Sequence, residues 1–326
     1  MTPLLTVEGL GVEFPVGNWP RRRTLRASFD VSFSVGRGEI VALVGESGSG
    51  KSTIGRVIAR ILPAKAGRVT LHGPGERDTD SFGPRAGEAS MRWRQRVQLI
   101  FQDPAASLNP VFPVGHPVAR ALRLHGRADP KTVDERVAAA LEAVGLHPGA
   151  TFATRYPHQL SGGQRQRVSI ARALATDPDL VIADEPTSML DVSIRMDILR
   201  LFTTIRASGT RSVLLITHDL ASARLVADRV VVLYAGEVME LGPARAVLDA
   251  PRHPYAQLLA AAATRSGDLR APLPAAEGAP KVIDPGPGCP FAPRCAQATD
   301  RCRAERPALT AVSPDHAVRC HLVRPE

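Results

Sequence analysis

Three short segments of this 326-residue chain combine residue types that handle phosphate chemistry. The first is GESGSGKS at 45–52. Gly45, Gly48 and Gly50 allow the backbone to curl so that successive N–H groups point inward at a phosphate. Glu46, Ser47 and Ser49 fill the loop, and Thr53 follows it. A helix N-terminus at the same place adds partial positive charge. Lys51 is suited to reach β- and γ-phosphates and the Ser52 hydroxyl to ligate Mg²⁺. The second segment, LVIADE at 180–185, is an apolar strand ending in two acids. Asp184 can enter an Mg²⁺ shell, and Glu185 can polarise a water for in-line attack on a γ-phosphate. The third, LSGGQ at 160–164, precedes RQRVSIARAL, which has helical spacing. Ser161, Gly162 and Gly163 therefore fall at a helix start, with a hydroxyl and bare amides forming a second anion site. One chain cannot easily aim both helix ends at one phosphate, whereas two copies facing head to tail can.

The elements that must position these residues alternate. Leu4–Phe14 and Phe29–Val35 read as antiparallel strands. EIVALVG at 39–45 is a continuous apolar run, as expected of a buried parallel strand, and leads through the glycine loop into STIGRVIARIL, which has helical recurrence. A chance glycine-rich loop would lack that strand–loop–helix context. Residues 73–90 read as a surface loop and Val97–Phe101 as a strand. In 131–144, Val133, Val137, Leu141 and Val144 share one helical face. Strands are expected at Leu180–Ala183, Ser212–Thr217 and Val230–Tyr234, with helices at Val192–Ile205, at Leu220–Ala227 and again beyond Pro243. Such alternation implies a mostly parallel sheet with right-handed crossovers. Residues 265–288, with five prolines, read as a linker.

Composition narrows the class. A content of 44% hydrophobic and 22% charged residues suits a packed globular core and excludes collagen-like, disordered and coiled-coil chains. No stretch reaches the ~18 apolar residues of a membrane span; the runs near Val230–Ala235 and Leu258–Ala263 are strand- and helix-sized. The N-terminal MTPLLTVEGLGVEF lacks the basic start of a secretory signal. The expectation is a cytoplasmic protein that touches a membrane only through partners. Net charge is +9, with only four lysines among 41 basic residues. The charges are scattered rather than striped, which favours solvated cations over a nucleic-acid surface. The tightest cluster, Arg21, Arg22, Arg23 and Arg26 beside Trp19, reads as an exposed loop between two strands. All four cysteines lie within residues 289–326.

LSGGQ beside the phosphate loop and the acid-tipped strand resembles the ATP-binding cassette (ABC) family along residues 4–263. The resemblance implies an α/β phosphate-loop nucleotide-binding domain at 1–264. That domain would have a mostly parallel sheet core, an antiparallel β subdomain and an α-helical subdomain at roughly 103–165. It implies ATP and Mg²⁺ as cofactors, with Ser52, Gln102 and Asp184 around the ion. Gln102 in FQDP resembles the Q-loop glutamine, Asp191 the D-loop aspartate that crosses a dimer interface, and His218 the switch histidine at the γ-phosphate. Glu185, His218, Gln102 and Lys51 are thereby the catalytic set, and Ser161, Gly162, Gly163 and Gln164 the signature that meets ATP from the opposing copy. Alone, His218 would read equally well as a core or capping histidine. Phe14 falls where the family places the aromatic that stacks on adenine; Trp19 is the alternative, and a core role the bland one. Met189 departs from the alanine usual there.

ESGSGKST, FQDPAASLNP, RYPHQLSGGQRQRV, DEPTSMLDVSI, HPYAQLL and the closing CPFAPRC are similar to the ATPase subunits of dipeptide, oligopeptide and nickel importers. That resemblance implies two transmembrane permease subunits, a second ATPase subunit (a homologous partner or another copy) and, indirectly, an extracytoplasmic solute-binding protein. It implies a peripheral place on the cytoplasmic face of the inner membrane and no nucleic-acid partner. A nickel importer, a soluble cassette acting on nucleic acid or ribosomes, and a regulatory subunit that does not hydrolyse are the other readings. The first leaves the ATP site unchanged. The second lacks paired nucleotide domains or coiled coils, and the third is opposed by the retained catalytic set. The segment 289–326 is expected to be a small Cys-rich extension. Its spacing, C-x5-C-x6-C-x17-C, disfavours zinc knuckles. Cys289, Cys295, Cys302 and Cys320 could hold a [4Fe–4S] cluster, with His316 and His321 as substitute ligands, or remain thiols packing a hydrophobic cap.

Overall fold

The computed structural model describes residues 3–17, 23–73, 79–80, 88–207, 209–264, 283 and 285–324. Trp19, Arg21, Arg22 and most of the 265–288 linker lie outside the described residues. By contact, the chain divides into two compact units. Unit 1 comprises residues 1–36, 40–82 and 215–326; unit 2 comprises 37–39 and 83–214.

Unit 1 opens with β1 (Pro3–Val16) and β2 (Arg23–Gly36), long antiparallel strands. β4 (Ala66–Leu71) pairs with β1 on its other side, and β5 (Thr79–Asp80) pairs with β4. Between β2 and β4 lie β3 (Ile40–Val44) and α1 (Lys51–Ile58). β3 is β-branched or aliphatic throughout and every residue in it is buried, as the continuous apolar run requires. The expected loop at 73–90 is interrupted by β5 and ends where α2 (Glu88–Arg96) begins.

Unit 2 carries α2, β6 (Val97–Ile100), α3 (Pro104–Ser107), α4 (Gly115–Leu124), α5 (Val133–Glu142) and α6 (Gly149–Ala153). It continues through α7 (Gly162–Leu174), β7 (Leu180–Asp184) and α8 (Val192–Ala207). β6 and β7 pair in parallel. The apolar stripe expected over 131–144 is real: Val133, Val137, Leu141 and Val144 are all buried.

β8 (Ser212–Thr217) carries the chain back into unit 1. There it continues as α9 (Leu220–Val226), β9 (Arg229–Tyr234), β10 (Glu237–Pro243), α10 (Ala244–Asp249) and α11 (Pro254–Thr264). β9 runs parallel to β3 and antiparallel to β10. β10 has no counterpart in the sequence reading, because EVMELGP places acids at two positions whose side chains are wholly buried, Glu237 and Glu240.

Those acids are matched from afar. Glu237 forms ion pairs with Arg26 at 3.3 Å and Arg306 at 3.2 Å. Glu240 accepts from the backbone N–H of His253 at 2.7 Å and lies 2.8 Å from His316 Nε2. The expectation of an exposed loop for Arg26 is thus corrected: it lies in β2 opposite Glu13, with its guanidinium stacked 4.1 Å over Phe29 and pointed at a buried carboxylate. Arg23 begins the same strand and is exposed.

The Cys-rich segment is woven into unit 1. It contains α12 (Asp300–Ala304), β11 (Thr310–Ser313) and β12 (His316–Val318). β12 pairs antiparallel with β10, and β11 with β12. Phe291 is 2% exposed in a cluster with Val44, Tyr234, Met239 and Tyr255. Its ring meets Tyr234 edge-on at 5.3 Å. Truncating a buried aromatic of this kind costs about 3–5 kcal/mol. Phe291→Ala is therefore expected to lower the urea midpoint of unit 1 as a whole. An unchanged main transition, with only a separate early one affected, would show that the segment folds apart from it.

Candidate functional site

The phosphate loop belongs to unit 1, and its shape is forced by neighbouring backbone. A Cβ on Gly45 would lie 2.1 Å from the Leu233 carbonyl oxygen, and one on Gly50 would lie 2.1 Å from that of Ala27. Gly50 also has φ +97° and caps α1, a conformation that disfavours any side chain. The loop is cross-braced by Ser49 N–H to Glu46 O and Gly236 N–H to Ser49 O, at 3.2 and 3.0 Å. Lys51 is 5% exposed, and its ammonium donates to Gly45 O at 2.7 Å, Glu46 O at 2.8 Å and Ser49 Oγ at 3.3 Å. Ser47 and Gly48 form the exposed tip, with Ser52 and Thr53 half-buried in the first turn of α1. No acid occupies that turn, so the helix end keeps its positive potential for an anion.

His218 is also in unit 1, exposed between β8 and α9. The cap of α9 is Asp219, whose carboxylate accepts from Ala221 N–H at 2.9 Å. The sequence ambiguity about His218 is thereby narrowed: it is neither core nor cap. Phe14 is half-buried on β1 opposite Leu25.

Unit 2 holds the second group. Asp184, 2% exposed, ends β7. Glu185 follows with φ +47°, left-handed backbone that costs a non-glycine residue on the order of 1 kcal/mol. Its carbonyl accepts from Ser188 N–H and Oγ, closing a tight turn. Strain of this kind persists where the surroundings over-determine it, commonly at functional sites.

The signature segment is a reciprocal capping box. Ser161 Oγ accepts from Gln164 N–H at 3.2 Å, and Gln164 Oε1 accepts from Ser161 N–H at 3.0 Å. Ser161 thus stands exposed at the positive end of α7, while the Gln164 carbonyl is committed to the cap. Gly163 packs against α8, where a Cβ would come 2.5 Å from Ile194 Cγ2. Gly162 has more room, 3.6 Å from Leu190. Arg165 Nη1 braces the turn by donating to Leu160 O at 2.9 Å. Gln102, Asp103, Gly162, Gln166, Met189 and Leu190 line one concavity within this unit. Gln102, Gly162 and the 186–190 turn are therefore neighbours. Met189 and Val192 are 66% and 75% exposed, flanking the exposed Asp191.

Cys289, Cys295, Cys302 and Cys320 are free thiols that, together with His253, Phe291 and His321, line a single cavity in unit 1. Burial pushes the Cys289 thiol up to about 11 and raises Cys320 as well. Among the described residues, no three His, Cys, Asp or Glu side chains stand close enough, as they lie, to hold a metal ion. Four soft sulfur donors on one largely apolar wall nevertheless match the donor chemistry of an iron–sulfur group. His316 does not join them: its ring faces Glu240. His253, pushed down to about 4 by burial, is neutral and accepts the Tyr255 N–H at 3.0 Å.

Sequence reasoning passed over the residues that brace Glu46. Tyr255 Oη accepts the Glu46 N–H at 2.9 Å, and Arg294 binds its carboxylate. Both braces lie inside segments singled out for their resemblance, HPYAQLL and CPFAPRC, and those segments were the available signal.

Known proteins resemble this chain in sequence and in fold. A family described as "ABC transporter" matches residues 29–188, and one described as "Oligopeptide/dipeptide transporter, C-terminal region" matches 239–302. The chain is 41% identical over 327 residues to a Sinorhizobium fredii protein named as a peptide ABC transporter ATP-binding protein, covering 99% of this chain and 90% of that one. It is 41% identical to a Brucella abortus protein named for peptide import, covering 98% and 94%. A dimeric, post-hydrolysis structure of the ATP-binding cassette MJ0796 bound to ADP and Pi superposes with TM-score 0.64 at 27% identity, covering 74% of this chain and 99% of that one. The cbiO1 structure from Clostridium perfringens, part of the cbiONQ ABC transporter complex, gives 0.63 at 25%, covering 82% and 96%. No helix among the described residues is long and apolar enough to cross a membrane.

The two signature glycines should respond differently to a methyl group. Gly163→Ala forces α7 off Ile194 and is expected to cost about 1–3 kcal/mol in denaturant unfolding. Gly162→Ala, in ordinary contact with Leu190, should be neutral or slightly stabilising. Equal effects would contradict the packing described.

Proposed function

The chain belongs to the ABC transporter family, and on that premise we propose how its parts act as the ATP-hydrolysing subunit of a peptide importer. One observation carries the reading. A single chain bears two anion-directed helix ends, the Lys51 cradle at α1 in unit 1 and the exposed Ser161 cap at α7 in unit 2. Two cassettes facing head to tail use both, each triphosphate lying between the phosphate loop of one copy and the serine–glycine pair of the other. The MJ0796 cassette, to which the fold is similar, is dimeric.

The chemistry follows from charge. Backbone N–H groups of residues 45–53 and the Lys51 ammonium bind the β- and γ-phosphates. Ser52, Asp184 and Gln102 suit an Mg²⁺ ion, a hydroxyl, a buried carboxylate and an amide being the hard oxygen donors it takes. When bound, the ion neutralises phosphate charge. Glu185 takes a proton from the attacking water as the new oxygen–phosphorus bond forms and the bond to the β-phosphate oxygen breaks, leaving ADP and phosphate. His218 and the opposing Ser161 bind γ-phosphate oxygens, Phe14 packs on the adenine, and Asp191 and Gln164 line the cassette–cassette contact. Closure moves the helical subdomain, 103–165, and with it two permease subunits at the cytoplasmic face of the membrane. ATP drives this through its higher affinity for the closed state. The second ATPase is a homologous partner subunit, and a solute-binding protein outside the membrane delivers the peptide.

We further infer that Cys289, Cys295, Cys302 and Cys320 hold a [4Fe–4S] cluster that staples the C-terminal segment. That all four cysteines line one cavity supports this.

Glu185→Gln is expected to bind ATP and dimerise while turnover falls by about 10²-fold or more. Ser161→Arg should abolish turnover and nucleotide-dependent dimerisation. Hydrolysis at the wild-type rate by either variant, or strictly monomeric nucleotide-loaded protein with every partner present, would refute the sandwich. For the cysteines, anaerobically purified protein should show broad sulfur-to-iron absorbance and contain iron and sulfide, both lost in Cys302→Ser. Colourless protein with four titratable thiols, or protein containing zinc, would refute the cluster.

A further inference from the structure

A two-pronged contact joins the phosphate loop to the cysteine-bearing segment. Arg294 ends a short 3₁₀ turn at Ala292–Arg294, immediately before Cys295. Its Nη1 and Nη2 donate to Glu46 Oε2 and Oε1 at 2.8 and 3.0 Å, the parallel fork that makes guanidinium–carboxylate pairs both strong and directional. Nη1 also lies 3.4 Å from the Tyr234 hydroxyl, and the guanidinium stands 5.6 Å from the centre of that ring. The pair is partly shielded, with side-chain exposures of 15% for Arg294 and 32% for Glu46.

Glu46 is thereby held at three points. Its carboxylate is bound by Arg294, its N–H by Tyr255 Oη at 2.9 Å, and its carbonyl by Lys51 Nζ at 2.8 Å. Glu46 directly follows Gly45, in a loop built to receive a polyanion. An unpaired carboxylate there would repel the phosphates. A guanidinium, protonated at every working pH, cancels that charge, and its fork fixes the carboxylate on the side of the cysteine segment. Phe291, three residues before Arg294, is buried in one cluster with Val44, which directly precedes the loop, and Tyr255, so the position of the arginine is set by the seating of the segment.

We propose that Arg294 is a positioning residue of the nucleotide site, anchoring and neutralising Glu46 so that triphosphate affinity depends on the seating of the C-terminal cysteine segment. The proposal rests on residues 45–53 being the triphosphate cradle. Displacing residues 289–295 would therefore weaken ATP binding while leaving the hydrolytic residues intact.

The test uses the full chain, with the Kd of a fluorescent ATP analogue in the presence of Mg²⁺ read alongside KM and kcat. Arg294→Ala is expected to raise Kd and KM about five- to twenty-fold with kcat within about twofold, the split that marks loss of binding rather than of chemistry. Arg294→Gln, which keeps the stem and a donor but no charge, carries the same expectation and serves if the alanine variant does not fold. Arg294→Lys should recover part of the affinity. Adding Glu46→Ala to Arg294→Ala removes the uncompensated carboxylate and should bring Kd back toward wild type, a non-additive result expected only of directly coupled partners. Unchanged Kd in folded Arg294→Ala or Arg294→Gln, or a further loss in the double variant, would overturn the proposal. Lys51→Ala separates the two claims. If it abolishes binding while Arg294 variants bind normally, the cradle stands and this inference fails. If Lys51→Ala binds normally, the reading of the cradle fails.

Discussion

The close approach of backbone to backbone around the phosphate loop is the constraint on which the nucleotide site depends. Carbonyl groups of Leu233 and Ala27 stand where side chains on Gly45 and Gly50 would have to be. The loop is therefore clamped by the end of β9 and by β2, and the direction of its amides is set by strands rather than by the loop's own eight residues. Gly236 completes the clamp, donating to Ser49 O and accepting from Phe29 N–H. A cradle held this way needs no bound phosphate to define its shape, which is the condition for electrostatic preorganisation.

The same economy appears in the signature segment, where one serine serves twice. Its oxygen terminates α7 through the capping box, and its position places it at the positive helix end. The strained Glu185 is held comparably, its left-handed backbone fixed by two hydrogen bonds from Ser188. In each case a local backbone device helps to aim the side chain.

Local devices are also what a sequence displays, and this explains what was legible and what was not. The glycine loop, the acid-tipped strand and the serine cap each announce themselves within a few residues, and β3, α5 and β7 follow from apolar periodicity. β10 is hidden from a reading of the sequence because its pattern carries two wholly buried glutamates whose partners, Arg26 and Arg306 for one and His316 for the other, are remote in the chain. Arg26 misleads for the complementary reason. Beside Arg21, Arg22 and Arg23 it looks like one more solvated cation, and only the folded sheet reveals its partner. Phe291 and Arg294 likewise sit in a segment whose spacing of cysteines draws attention, while its contribution to the core and to Glu46 depends on contacts that no periodicity encodes.

The pairing of β12 with β10 has a consequence for biosynthesis. β10 is made early relative to the hairpin that covers it, and an uncovered strand edge is a template for association with other chains. While the ribosome is still extending the polypeptide toward His316, the nascent sheet exposes that hydrogen-bonding row, together with a Glu237 lacking Arg306 and a Glu240 lacking its histidine. Maturation of the cassette is therefore completed from its far end, and a truncated translation product would carry an adhesive flank even with every nucleotide motif intact.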